Sequence, residues 1–249
     1  MDIFSRSVSP AIAEEMWKER SRFLKGGRLA PQTMPATVLF SDLMNFTPVA
    51  ERLAPEQLMD WLNNYMETMA GLVISHGGVV DDYYGDAIKS NFGVPIPRKT
   101  LKEMRQDAMN AIRCAFAMRR KMQELVASWH FEGGPQVKVR VGIATGHVVA
   151  GCLGSAQRMK YTTIGDVVNT AARLESYGKE IPADLVDPYC QIMVAGSTVA
   201  LLEGELQFQR VGSLQLKGKS EAVVAYIPME SGEAPVQTSA DAPIIARSA

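Results

Sequence analysis

Two aspartates each close an apolar run that reads as a β-strand, Asp42 after Thr37-Val38-Leu39-Phe40-Ser41 and Asp86 after the stretch that begins at Val79 and ends in Tyr84-Gly85. Carboxylates fixed at strand ends without Cys or His nearby in sequence are hard oxygen ligands, the kind that favours Mg2+ or Mn2+ over zinc. Taken singly, each Asp is equally well a residue closing a turn. Further on, Asn169 and Arg173 stand four apart where a helix begins, so they share a face. Thr170, Ala171 and Ala172 beside them are small enough for close approach. The basic turn Leu216-Lys217-Gly218-Lys219-Ser220 is suited to a phosphate. Alone, each of these last two is an ordinary solvated surface.

The elements that must position these groups follow from hydrophobic periodicity. A strand is expected at 36–41, and a helix at 55–75 opened by Pro55-Glu56, with Leu58, Trp61, Leu62, Tyr65, Met69, Leu72 and Val73 along one face. His76-Gly77-Gly78 ends that helix. Strands 79–84 and 87–92 are joined across Gly85-Asp86, a turn of the kind tight hairpins use. A second long helix is expected at 101–128, with Asp107, Arg113 and Arg119 on its wetter side. Strand 136–144 alternates Val137, Val139, Val141 and Ile143, and a Gly-rich stretch follows from Thr145 to Ser155. A helix starts near Gly165-Asp166. Strand 191–194, helix 196–203 and a β-hairpin around 207–227 complete the body. The order is that of an α+β fold, a ferredoxin-like split βαβ sheet flanked by helices, with an extra α/β portion and a C-terminal β-hairpin.

Ahead of this body, residues 10–24 have helical spacing (Ile12, Met16, Phe23, Leu24) and are stopped by Gly26-Gly27, so residues 1–34 are expected to be a leader carrying a coupling helix. Residues 229–249, rich in Pro, Ala and Ser, are expected to be a disordered tail. Of the 249 residues, 47% are hydrophobic and 21% charged, ordinary for a chain that buries a core. The formal net charge of −1 gives no basic field for nucleic acid. Three scattered cysteines imply neither a disulfide framework nor a zinc site. No apolar run approaches the roughly 20 residues of a spanning helix, and no signal-peptide core is present, so no membrane insertion is expected. A cytoplasmic protein, or the cytoplasmic part of a membrane-tethered one, fits best.

In this order and spacing the segments closely resemble the catalytic domain of the class III adenylate/guanylate cyclases, over about residues 35–228. The family's Phe-x-Asp with a Phe four beyond the Asp is met by Phe40, Asp42 and Phe46. Its Gly-Asp hairpin is met by Gly85-Asp86 and the run Phe92-Gly93-Val94-Pro95. Its Gly-x-x-x-Gly is met by Gly142 and Gly146, its Asn and Arg four apart by Asn169 and Arg173, and its phosphate Lys by Lys217. A silent cyclase-like module would typically lack one of these residues. A palm-like polymerase or dinucleotide cyclase would carry Gly-Gly-Asp-Glu-Phe where this chain has Tyr84-Gly85-Asp86-Ala87-Ile88.

The resemblance implies cyclisation of ATP or GTP, by attack of the ribose 3′-oxygen on the α-phosphorus with loss of pyrophosphate. It places two Mg2+ or Mn2+ ions about 3.5–4 Å apart on Asp42 and Asp86. The backbone of Leu43, Met44, Asn45 and Phe46, leading into the next helix, would cradle the β- and γ-phosphates. Arg173 would stabilise charge building on the α-phosphoryl group, Asn169 would hold the ribose, and Lys217 would neutralise the terminal phosphates. In the family these groups come from two chains packed head to tail, so a homodimer is implied, with residues 147–162 as the arm that reaches over the partner. The leader resembles the segment through which an upstream regulatory domain acts.

The base-reading position departs from the commonest pattern. Adenylate cyclases of this type usually carry a Lys four residues before the second metal Asp, a donor to adenine N1, and here that residue is Asp82. It is expected on the strand face of Val80 and Tyr84. A carboxylate repels the N1 lone pair but accepts from guanine N1–H and N2–H2, and guanylate cyclases carry a Glu there. The second reading position is Thr162, which can donate or accept. Lys160 is a candidate substitute donor, and Lys89 is the cross-strand partner Asp82 would have if it lay outside the site. ATP and GTP stay equally open.

Overall fold

The computed structural model describes residues 24–25, 28–29, 31–129, 137–155, 159–178, 181, 185–215, 222–230 and 232. In chain order its elements are β1 (Leu24–Lys25), β2 (Arg28–Leu29), β3 (Gln32–Met44), α1 (Phe46–Ala50), α2 (Pro55–Ser75), β4 (Val79–Tyr84), β5 (Ala87–Phe92), α3 (Leu101–Ser128), β6 (Lys138–Gly154), β7 (Met159–Ile164), α4 (Asp166–Tyr177), β8 (Cys190–Ala195), α5 (Gly196–Leu201), β9 (Phe208–Leu214) and β10 (Val223–Pro228). Leu24 lies in the short β1–β2 pair. The rest of the helix expected at 10–24 is outside the described residues, as are Lys217 and nearly all of the C-terminal tail.

One mixed sheet holds the strands in the order β4-β5-β3-β6-β8-β10-β9, with β7 added against the far half of β6. The run β4-β5-β3-β6 is the ferredoxin-like unit, all antiparallel, and β8 joins it parallel to β6. β3 is central because both faces are apolar. Leu39 and Leu43 face one core cluster, while Met34, Ala36 and Val38 face the other. That double burial is why β3 starts at Gln32, ahead of the expected 36. The strand expected at 136–144 is also longer, because residues 147–154 continue β6 and pair with β3 and then β7.

Helices α2 and α3 cover one face. Tyr65, Met69 and Val73 recur every four residues on α2, so one stripe is fully inside. α3 begins at a capping box in which the Thr100 hydroxyl accepts from the Glu103 N–H at 3.2 Å and Glu103 accepts from the Thr100 N–H at 2.9 Å. Asp107 is not on the wet side of α3. It is 5% exposed and accepts two hydrogen bonds from Arg98, at 2.7 and 3.1 Å, so a partner from the preceding loop makes its burial tolerable.

Helix α4 covers the other face, and Gly142 decides how closely. A Cβ at Gly142 would lie 2.1 Å from the Ala171 carbonyl oxygen and 2.4 Å from the Glu175 nitrogen, both backbone atoms of α4. At Gly146 a Cβ would meet the Val167 side chain at 2.6 Å. The two glycines four apart on β6 thus make a trough in which the helix rests on bare backbone. Gly142→Ala is expected to push α4 off the sheet and to cost about 1–3 kcal/mol in a urea titration. An unchanged midpoint would show that the helix has room there.

Candidate active site

Alternation along β3 sends Asp42 to the α4 side, on the same face as Met34, Ala36 and Val38. Asp86 sits in the two-residue turn between β4 and β5, where Gly85 has φ 66°, a value that favours glycine. Because Ser41 pairs with Ile88, the turn falls beside Asp42. Burial first, and then the Asp42 charge, push the Asp86 carboxyl up to about 6. Two carboxylates crowded in this way repel each other, and a cation between them would relieve both. The donors are hard oxygens, which suits Mg2+ or Mn2+. Among the described residues no group of three or more His, Cys, Asp or Glu side chains gathers, so further ligands would be backbone or substrate oxygens.

Two residues that sequence reasoning passed over hold this corner together. Arg140 on β6 is 2% exposed. One of its terminal nitrogens donates to Asp42, and its Nε donates to Glu175 on α4 at 2.6 Å. Burial raises the Glu175 carboxyl, and Arg140 offsets part of that shift. The available signal was a lone Arg in an otherwise apolar strand, facing the side of Gly142 where the helix comes closest.

On α4, Asn169 is exposed and Arg173 half-buried, while Ala171, Leu174 and Glu175 face the sheet. At 3.6 residues per turn, Arg173 and Glu175 are about 200° apart around the helix. Glu175 turns towards Asp42 through Arg140, so Arg173 turns away from the Asp42 of its own chain. The structure therefore brings Asp42 and Asp86 together but does not bring Asn169 and Arg173 to them within one chain.

The segment after Asp42 is sharply bent. Leu43 is buried and Met44 half-buried, and Asn45 has φ 66° before the short α1. The side chain of Leu43 thus belongs to the core, leaving only its backbone available to a ligand. The Phe46 ring stacks on Trp61 with centroids 6.3 Å apart, and Trp61 meets Trp129 at 4.7 Å, anchoring the bend to α2 and the end of α3.

At the other end of the β4–β5 hairpin the expected alternation fails. The β4–β5 register shifts between Val80 and Asp82, a bulge that inserts Asp81. Asp82 therefore does not simply continue the face of Val80. The Asp81 side chain is 1% exposed and is ion-paired with Lys89, itself 3% exposed, at 2.9 Å. It also accepts from the Asn91 amide at 2.8 Å, the Thr162 hydroxyl at 2.7 Å and the Thr163 N–H at 3.0 Å. Lys89 is thus the partner of Asp81, in the interior, and not a surface partner of Asp82. Asp82 instead receives the Lys160 ammonium from β7. Partial burial works against its charge, but Lys160 holds the Asp82 carboxyl below its usual range.

The profile of the adenylate and guanylate cyclase catalytic domain matches residues 29–229. The chain belongs to this family. Its cyclase domain is 32% identical over 213 residues to an adenylate cyclase of Mycobacterium tuberculosis, a match spanning 86% of this chain and 43% of that protein. It is 29% identical over 201 residues to adenylate cyclase 1 of Rhizobium meliloti, spanning 81% of this chain and 28% of the relative. Among solved structures, the adenylyl cyclase CyaB from P. aeruginosa superposes with a TM-score of 0.72 at 33% identity, covering 82% of this chain and 97% of that one. The guanylyl cyclase Cya2 gives 0.66 at 30%, covering 80% and 94%. The cyclase domain thus spans less than half the length of these two curated relatives. No helix among its described residues is long and apolar enough to cross a membrane.

Two outcomes are expected from this geometry. Lys89→Met leaves the Asp81 charge buried without its cation and is expected to cost about 3–5 kcal/mol of stability in denaturant titrations; a loss below 1 kcal/mol, on the scale of ~0–1 kcal/mol for an exposed pair, would mean the pair is effectively solvated. For Asp86, the folded carboxyl takes up its proton at about 6 and an unfolded Asp at about 3.9. Between those values the folded state binds more protons, so cation-free protein gains stability as pH falls through 6 towards 4. Asp86→Asn should therefore melt higher than the parent at pH 8 without divalent ions, with the gap closing below pH 6. Equal melting at pH 8 would show that the two carboxylates do not repel.

Proposed function

We propose that the chain is a nucleotide cyclase that converts ATP or GTP to the 3′,5′-cyclic monophosphate and pyrophosphate, with each active site shared between two copies. The observation that carries this reading is the opposite aim of Asp42 and Arg173. A single chain holds a pair of cation-binding carboxylates and a cation suited to a phosphoryl group, yet turns them apart. Two copies related by a twofold axis would complete two equivalent sites through one self-complementary interface.

In such a site Asp42 and Asp86 of one copy would hold two Mg2+ or Mn2+ ions, and the bent backbone of residues 43–46 would face the β- and γ-phosphates. The ions would supply charge neutralisation on the triphosphate and a lowered pKa for the ribose 3′-hydroxyl. Asn169 of the other copy fixes the ribose and so aims that oxygen at the α-phosphorus. As the new O–P bond forms, the bond to the bridging oxygen breaks and the 3′-hydroxyl proton passes to solvent. Arg173 meets the negative charge that grows on the departing side and stabilises it more in the transition state than before it. Lys217 is assigned to the terminal phosphates. Asp82 and Thr162 mark the purine end.

A catalytic unit over 35–228, preceded by a leader at 1–34 and followed by a tail at 229–249, is part of the proposal, as are an upstream regulatory domain and a cytoplasmic setting in signal transduction. Met34 is packed in the core, and Met229 is buried with its N–H bonded to the Gln207 carbonyl at 3.0 Å, so the folded unit reaches slightly past both boundaries. The relatives named above as adenylate cyclases support the cyclase reading, and Cya2 keeps GTP in play.

Asp42→Ala and Arg173→Ala chains are each expected to lose at least about 100-fold in turnover, the scale of one lost transition-state contact. Mixed together, they should recover activity, because one of the two sites in the mixed pair is intact. No recovery in mixtures shown to contain the heterodimer would refute shared sites.

A further inference from the structure

We infer that Lys160, held in place by Asp82, is the group that reads the purine, and that it selects adenine. The inference rests on the cyclase reading above and deepens it by naming the base. At the sequence level Asp82 stands as an acceptor for guanine. In the structure its carboxylate is already paired with the Lys160 ammonium, which also holds it below its usual range. Guanine N1–H and N2–H2 would have to compete with an ammonium tethered to the same protein, which is the stronger, charge-assisted donor.

Lys160 itself is well placed to donate outwards. Its side chain is 44% exposed, and its nitrogen lies 5.7 Å from the centre of the Tyr84 ring. An ammonium carries three N–H donors and no acceptor, so after Asp82 takes one, others remain for a ligand. The donor that would otherwise project from β4 thus arrives from β7, with Asp82 at its base.

Thr162 lies two residues along β7, on the same face as Lys160. Its hydroxyl proton is committed to Asp81 at 2.7 Å, and it accepts from Lys89 at 3.2 Å. A hydroxyl has one donor and two acceptor sites, so Thr162 can offer a ligand only its remaining lone pair. The proton is held inwards, because Asp81 is fixed from three directions by Lys89, the Asn91 amide and the Thr163 N–H, and the Lys89 ammonium already occupies the other side of the Thr162 hydroxyl. Thr162 is therefore an acceptor, and the pair presents a donor followed by an acceptor. Adenine offers the complement, an N1 acceptor beside N6–H2 donors. Guanine can meet the same pair through O6 and N1–H, but its N2–H2 donor then has to compete with Lys160 for the Asp82 carboxylate, a mismatch adenine does not carry.

The test uses the full chain with Mg2+ or Mn2+, scores both cyclic products, and measures binding of labelled ATP and GTP by equilibrium dialysis in an Arg173→Ala background that blocks turnover. The parent should prefer ATP by about tenfold or more in kcat/KM, and Lys160→Met should lower ATP use by about 10–100-fold while changing GTP use by less than about threefold, as expected for loss of one charged hydrogen bond. Lys160→Arg should restore part of the loss, which a merely structural role would not produce. Asp82→Asn should lower ATP use less than Lys160→Met does. Parent preference for GTP that collapses in Asp82→Asn, or an ATP:GTP ratio unmoved by Lys160→Met, overturns the inference. If neither cyclic product forms but dialysis shows a preference for ATP that Lys160→Met removes, the base assignment stands and the cyclase reading falls.

Discussion

The contact of α4 with the bare backbone of β6 at Gly142 is the constraint from which the rest of this site follows. It brings Glu175 within reach of Arg140, and Arg140 in turn is within reach of Asp42. An Arg at 2% exposure is tolerable only with both carboxylates in place, since an unpaired buried charge is strongly destabilising. The packing therefore fixes a side-chain geometry as well as a distance. It turns the inner flank of α4 towards Asp42, one of the two crowded carboxylates, and commits the outer flank, with Asn169 and Arg173, to face elsewhere.

A second polar cluster does comparable work at the opposite end of the β4–β5 hairpin. The bulge at Asp81 places a carboxylate in the interior where a regular strand would have pointed it outwards. Lys89, Asn91, Thr162 and Thr163 then close around it, linking β4 and β5 to β7 through side chains. Such a network is costly unless every member is satisfied, and here each named polar group has a partner. In the proposed purine site its effect would be indirect: by taking the proton of one hydroxyl, it leaves Thr162 the role of an acceptor.

Much of the frame was legible in the sequence because it rests on local rules. The stripe of α2, the extent of α3 and the tight turn at Gly85-Asp86 are set by periodicity and turn chemistry, and their bounds agree with expectation. The two carboxylates and the Asn–Arg pair were legible as residue types at informative spacing. What was not legible depends on long-range packing. Arg140 and Glu175 are 35 residues apart in sequence and meet only because two glycines admit the helix. Asp107 looked solvated until Arg98 arrived from the preceding loop. The bulge between Val80 and Asp82 carries no Gly or Pro, so simple alternation assigned Asp82 to the wrong neighbours, and Lys89 to a surface pair instead of a buried one.

Arg140 has a further consequence if two copies do share their sites. The same guanidinium holds an aspartate belonging to one nucleotide pocket and a glutamate on the helix that serves the other. Occupancy of the first pocket redistributes charge around Asp42, and that change bears on α4 through a single rigid planar group. The two pockets would then be mechanically joined through the interior of each subunit, and filling one would alter the readiness of its twin.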